Sequence, residues 1–231
     1  AALASINTVQ DCLTHYAQLL SKSSSVSSEQ LKENLEHLKR AAPETFYQAL
    51  QLILLVQCIS GTLNFGRLDV SLGPFLKADL DSGRITWERA KELLSSFYVI
   101  IESEILHWDG RITVGGKGRQ DEAAADLFAA LAIETIDAVN LPMPQLSLRF
   151  HKNQNPELLD AGFDVIGKGK TFPMLYNDDV NVSAVQKAFR VSLEDAEQYA
   201  PFGCGEYIIN HKSSGTPHYI INLQMCLELS L

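Results

Sequence analysis

One cysteine in the chain sits among neighbours that would control its chemistry. Cys204 lies between Gly203 and Gly205, and Glu206 follows two residues on. Two glycines let the backbone turn tightly and come close to another surface, so this segment can present one side chain into a cavity. On an extended loop Cys204 and Glu206 share a side. A thiol and a carboxyl placed together can divide labour, the thiol handling an electron or hydrogen atom and the carboxyl a proton. A lone cysteine is equally a small apolar core residue, and the local pattern leaves both readings open. His211 and His218 follow, so Cys204, Glu206, His211 and His218 have the ligand types of a zinc site. Their spacing matches no recurrent zinc pattern.

The other chemistry-bearing residues read more plainly. Cys12, Cys58 and Cys226 sit among apolar neighbours at helical spacing and are expected to be packing residues. The glycine-rich run from Gly110 to Arg119 contains Gly116 followed by Lys117. A phosphate-binding loop also needs a glycine where Arg111 stands and Ser or Thr where Gly118 stands. The run is therefore expected to be a flexible loop between helices. His15, His37 and His107 are expected to be solvated or end-of-helix residues. Arg149 and His151, at the end of a strand, are left between a structural role and a cavity lining.

Composition limits the partners. The 231 residues carry 19 Lys+Arg and 28 Asp+Glu, a net charge of −9. That balance argues against duplex nucleic acid or an anionic membrane face as partner. The 46% hydrophobic and 20% charged content is that of a folded globular chain. The longest nearly apolar run, Ala49 to Ser60, is too short to span a bilayer, and no secretory signal pattern opens the chain. Four widely spaced cysteines do not form a disulfide framework, which fits a reducing cytoplasm. The chain opens on Ala1 and stops inside an apolar pattern from Ile220 to Leu231 that reads as a buried helix. It is therefore expected to be a fragment.

The elements that must position Cys204 are legible in outline. Ser27 to Gln30 has the form of a capping box ahead of Leu31, Leu35 and Leu38. Pro43 suits a first helical turn before Phe46 through Ile59. Pro74 to Leu80 predicts a short helix ended by Gly83, Thr86 caps a helix from Trp87 to about Leu106, and Asp121 to Val139 predicts another. Gln145 to Phe150 and Phe172 to Tyr176 are strand candidates. Asn155 opens a helix that ends near Gly167, and Ser192 caps a short helix to Ala200. Short strands between helices predict an α/β architecture with pieces of parallel sheet.

The residues around Cys204 resemble the G-C-V-E loop of the glycyl radical enzymes, the pyruvate formate-lyase-like family. More of the chain is similar to that family, in its order. The run from Ala41 to Gln51 resembles its R-A-P-x-T-F-x-E-A-L-Q helix. Phe65 to Asp69 resembles its G-R-x-D stretch, and the runs Asp79 to Thr86 and Ala90 to Leu94 its following helix. Gly110 to Gly116 is similar to its G-R-I-T-x-G-G. Leu141 to Arg149, Phe172-Pro173 with Asn177-Asp178, Val191 to Ala196, and Asn222-Leu223 complete the series.

The resemblance implies a ten-stranded β/α barrel with the cysteine loop threaded through its centre. Residues 1–231 would be a helix-rich, incomplete part of it, without the C-terminal glycine-radical domain. It implies Cys204 as the thiyl-forming cysteine and Glu206 as general base, both buried near each other, with His218, His211 and Tyr207 as substrate-binding candidates and no metal. It also implies a glycyl radical installed by an S-adenosylmethionine/iron-sulfur activating enzyme, a small polar substrate and a homodimer. Two features depart from the family. No R-V-x-G-Y-like motif occurs, so this chain alone would be inactive. The His-Ser pair before G-R-x-D in diol and choline-type members is replaced by Gly61 to Gly66, one residue shorter. Gly203 stands where pyruvate formate-lyase has a second cysteine, so Glu206 favours C–O, C–N or C–C cleavage by a dehydratase or lyase. Acyl transfer or radical decarboxylation is the alternative, with a zinc hydrolase or a non-catalytic scaffold further behind.

Overall fold

The computed structural model describes residues 2–22, 25–60, 64–105, 110–203, 205–210, 212–213 and 223–230. Three helices open the chain: α1 (Ala2–Leu20), α2 (Val26–Leu38) and α3 (Phe46–Ser60). Helix α2 is capped by Ser25, whose side chain accepts from Ser28 N, so the cap lies two residues before the expected box. Pro43 precedes α3 rather than starting it. Leu13, Ala17, Leu35, Leu38 and Leu55 bind these helices through a small apolar cluster of their own.

Four parallel strands follow, β1 (Asn64–Arg67), β2 (Arg111–Gly115), β3 (Leu146–Phe150) and β4 (Met174–Asn177), hydrogen-bonded in sequence order. Parallel neighbours need crossovers. These are α4 (Leu68–Asp81) and α5 (Trp87–Ile100) between β1 and β2, α6 (Glu122–Val139) between β2 and β3, and α7 (Pro156–Gly167) between β3 and β4. The predicted α/β architecture with parallel sheet is observed. Helix α4 starts at Leu68, six residues before its predicted start, and holds Pro74 inside it. Thr86 caps α5 as expected, accepting from Arg89 N at 3.2 Å, and a π-helical turn, Ile101–Ile105, continues it.

Alternation along the strands sorts the two faces of the sheet. Ile112, Val114, Leu146 and Leu148 join Leu72, Leu94, Phe128 and Ala132 of the helices in the main core. Gly73 brings α4 against α6, since a Cβ there would lie 2.5 Å from Ala124 O. The opposite face carries Arg111, Thr113, Ser147, Arg149 and Tyr176, all buried. Across this face lies an antiparallel hairpin of β5 (Tyr199–Phe202) and β6 (Glu206–Ile209). It is reached from β4 through α8 (Asp178–Phe189) and α9 (Leu193–Glu197). Val182 and Val185 of α8, Ala196, Tyr199 and Ile209 form the core beneath it.

Three expectations are corrected. The run from Gly110 to Arg119 is not a flexible loop: it contains β2, buried at every position. Gly115 and Gly116 take φ of 77° and 81°, and a Cβ on Gly116 would lie 2.5 Å from Asp178 Oδ2. Glycine is present there because two backbones approach closely. The apolar C-terminal pattern does form a helix, α10 (Leu223–Glu228), but none of its residues is buried, and Leu223 is 77% exposed. Cys58 and Cys226 are likewise exposed, and only Cys12 packs as expected, half-buried beside the α1–α3 cluster. His15 is exposed, and His37 ends α2 with its ring against Ala42 O at 2.9 Å, both as expected. His107 lies outside the described residues. Among the described residues no helix is long and apolar enough to cross a membrane.

Candidate functional site

Two arginines, Arg67 of β1 and Arg149 of β3, hold the base of the hairpin. Arg149, at 0% exposure, donates from Nε and Nη2 to the two oxygens of Asp178, at 3.0 and 2.7 Å. Its guanidinium also donates to Tyr199 O (2.7 Å) and Glu197 O (3.0 Å), and it stacks 3.9 Å from the Tyr199 ring centroid. Tyr199 returns its hydroxyl to Asp178 Oδ1 at 2.6 Å. Burial pushes that phenol's pKa upward. Arg67 donates to Glu197 O, Gln198 Oε1 and Gly115 O at 3.1 to 3.2 Å. Burial, with Arg149's charge nearby, lowers Arg67 to about 10. A bidentate guanidinium–carboxylate pair with its remaining donors satisfied is the geometry that makes a buried charge tolerable.

The turn after β2 shows why the chain is glycine-rich there without binding phosphate. Gly115 N donates to Asp69 Oδ2 (2.8 Å), Gly116 N to Gln154 Oε1 (3.0 Å) and Lys117 N to Asp178 Oδ2 (2.7 Å). Three successive amides thus form a nest filled by the protein's own side chains. Asp69 is fully buried, which raises its pKa, and Arg119 stands 3.9 Å away.

The tip is held by a third arginine. Phe202 pairs with Glu206, which leaves residues 203–205 as the loop. Gly205 N donates back to Phe202 O at 3.0 Å. Gly203 and Gly205 have φ of 51° and 118°, a conformation closed to most side chains. Arg111, 1% exposed, donates from Nη2 to Gly203 O (2.7 Å) and Gln145 Oε1 (2.5 Å), and from Nη1 to Ser147 Oγ (2.9 Å) and Tyr176 Oη (3.3 Å). The Tyr176 hydroxyl lies 3.9 Å from where a Cβ on Gly205 would be. Asn64 Nδ2 donates to Pro201 O at 2.8 Å and ties β1 to the same hairpin.

Of the residues singled out in the sequence, Glu206 and Tyr207 are placed. Tyr207 is half-buried and packs on Tyr176 and Tyr199, with ring centroids 6.1 and 4.8 Å apart. Burial raises its pKa. Glu206, the next position on β6, takes the other face of the hairpin. It is exposed, which corrects the expectation that it would be buried: the face it shares with Ile208 is the one turned away from Tyr176 and the sheet. Cys204, His211 and His218 lie outside the described residues. Arg149 is settled as a structural residue, while His151 lines an open cavity of about 320 Å³ with Lys152, Gln154, Asn177 and Asp179. Among the described residues no three His, Cys, Asp or Glu side chains are placed to hold a metal ion. Sequence reasoning missed Arg67, Arg111, Asp178 and Tyr199 as parts of the hairpin's support. A signal existed, since Arg67, Arg111 and Asp178 all stand inside the family-like motifs.

The pyruvate formate lyase-like family pattern matches residues 1–231, and the chain belongs to that family. Its strands and helices are part of the β/α barrel of the glycyl radical enzymes. A glycyl radical enzyme from Archaeoglobus fulgidus superposes with a TM-score of 0.73 at 25% identity, over 89% of this chain and 29% of that one. The B12-independent glycerol dehydratase of Clostridium butyricum shares the fold with a TM-score of 0.73 at 20% identity, over 92% and 29%. Among curated relatives, the (2S)-3-sulfopropanediol dehydratase of Klebsiella oxytoca is 27% identical over 79% of this chain and 24% of its own length. The isethionate sulfite-lyase of Oleidesulfovibrio alaskensis is 28% identical over 80% and 25%. The chain thus spans about a quarter of the length of the curated relatives it matches.

Proposed function

We propose that residues 1–231 are the cysteine-loop part of a glycyl radical enzyme of the dehydratase or lyase branch, acting on a small hydroxylated or otherwise polar substrate. The observation that supports this most is the hairpin tip. A tight loop of three residues, glycine on either side of Cys204, is clamped to the polar face of a barrel sheet, with Glu206 two residues beyond the cysteine. A glycyl radical, carried outside residues 1–231 and installed by an S-adenosylmethionine/iron-sulfur activating enzyme, supplies the acceptor for a hydrogen atom. The residues present fit that chemistry, since Gly203 and Gly205, the neighbours of residue 204 in sequence, both take positive φ.

In this reading Cys204 gives its hydrogen atom to that acceptor and, as a thiyl, takes one from the substrate carbon. The thiol must be neutral, unlike a nucleophilic cysteine with its lowered pKa. Glu206 removes a proton from the hydroxyl beside the substrate radical, whose acidity the radical raises. Tyr207, His211 and His218 are the substrate-contact candidates. The whole protein works as a homodimer in a reducing cytoplasm. The test is to activate the full-length protein anaerobically and offer glycerol, isethionate, trans-4-hydroxy-L-proline and (2S)-3-sulfopropanediol. Release of water or sulfite from one of them supports the reading. A glycyl radical that forms but leaves only acyl transfer to a thiol would overturn the branch.

A further inference from the structure

The carboxyl ends of β3 and β4 carry polar groups that the fold itself does not use. His151 follows β3 directly, and the turn after it closes through Gln154 N, which donates to His151 O at 3.0 Å. Both side chains line the open cavity of about 320 Å³ at this end of the sheet. Gln154 Oε1 accepts from Gly116 N at 3.0 Å, so the orientation of the amide is set and its remaining group is the Nε2 donor. That Nε2 is buried without a partner, and so are both ring nitrogens of His151. Buried polar groups are nearly always hydrogen-bonded, and an exception beside a cavity points to a partner that the chain does not supply. We propose that this cavity binds a small organic anion, its oxyanion head served by Gln154, His151 and Lys152 and its carbon body lying against Phe150 and Leu159.

The rest of the wall narrows the ligand to an anion. Asp179 is the carboxylate on it, and both its oxygens are engaged, Oδ1 by Lys117 Nζ at 2.8 Å and Oδ2 by Lys152 N at 2.9 Å. Asn155 Oδ1 accepts from Glu157 N and Asn177 Oδ1 from Asp179 N, so what each of these amides has left to give is its NH2 group. Two ammoniums, Lys117 and Lys152, stand against the one carboxylate. Donors and positive charge therefore prevail, while the side-chain oxygens are used within the fold. Phe150, Pro156 and Leu159 make the apolar part of the wall, which a bare inorganic ion would leave unfilled. The volume falls within the range of small-molecule sites, about 300–1,000 Å³. This site is separate from the radical chemistry and does not rest on it.

The test is titration calorimetry on the full-length protein and needs no activation. Phenyl phosphate and benzoate are the probes, with inorganic phosphate as the head alone and benzyl alcohol as the body alone. We expect at least one of the two aromatic anions to bind about tenfold or more tightly than either part, and the tighter of the two names the head group. Two variants place the binding. His151→Phe removes ring nitrogens that make no hydrogen bond in the fold, so the melting temperature should hold while affinity falls about tenfold. Gln154→Glu keeps Oε1 for Gly116 N and puts an oxygen where Nε2 stands, so repulsion should weaken binding about tenfold or more. A merely structural role for these residues would move the melting temperature and leave affinity unchanged. No binding of either aromatic anion to the wild type overturns the proposal, as does benzyl alcohol binding equally well. Wild-type affinity in His151→Phe also overturns it, and that variant decides alone if Gln154→Glu does not fold.

Discussion

Asp178→Asn is the perturbation that tests the support of the hairpin. The pair it breaks is fully buried, both side chains at 0% exposure, and bidentate. Asparagine keeps the shape and leaves Arg149 charged with no carboxylate beside it. Removing one partner of such a pair costs about 3–5 kcal/mol, mostly through the uncompensated charge. For a chain of this size each kcal/mol moves the melting temperature by about 2–4 °C, so the fall should be about 6–20 °C. Arg149→Met should cost a similar amount, because Tyr199 O loses its Arg149 donor as well and Glu197 O keeps only Arg67. The double variant Arg149→Met/Asp178→Leu leaves no unpaired charge and should cost at least about 2 kcal/mol less than the sum of the singles. Denaturant melts give the three values, and hydrogen exchange should show protection lost first at the amides of β5 and β6. Single variants costing under about 1 kcal/mol each, or additive costs, would refute the idea that this pair carries the hairpin.

Two further outcomes follow from residues nearby. Glu206→Gln keeps the side chain's size and removes the base, so product formation in the activated protein should fall about 10²–10⁴-fold while hydrogen exchange at the substrate carbon continues; wild-type turnover would make Glu206 structural. Asp179 is held below its ordinary 3.8 by the Lys117 ammonium and then by the Lys152 amide. A depressed folded value means its stabilisation is complete above the unfolded pKa and is lost as pH falls through the folded one. Asp179→Asn should therefore flatten the pH dependence of the melting temperature below about pH 4, and an unchanged acid limb would count against the pairing.

How much of this could be read from the sequence depended on whether the signal was local. Helix caps are local: Thr86 and Ser192 each accept a backbone N–H at their helix starts, as expected, and Asp121 and Asn155, expected only to open helices, cap them in the same way. The cap of α2 was misplaced because the box pattern points to Ser27, with Gln30 three residues on, whereas the actual cap, Ser25, has Ser28 there and so carries no box signature. The glycines after β2 were ambiguous, since flexibility and close approach demand the same residue. What made them close-approach glycines is Asp178, distant in sequence. Helix α8 was not anticipated, because its buried Val182 and Val185 face a hairpin that forms only later in the chain. The three arginines were legible as motif letters, but their task lies in carbonyls of residues 197 to 203, which no periodicity reveals. The loop at Cys204 was the reverse case: two glycines and a carboxylate announced it, and the structure supplied the clamp.

Cys204→Ser in the activated full-length protein tests the thiyl role most directly. Serine keeps the shape and holds its hydrogen too tightly for the relay. The glycyl radical should therefore form at wild-type yield by electron paramagnetic resonance, and no product should appear from the substrate that the wild type consumes. Substantial product from the serine variant, at an equal radical yield, would contradict the assignment of Cys204 as the thiyl-forming residue.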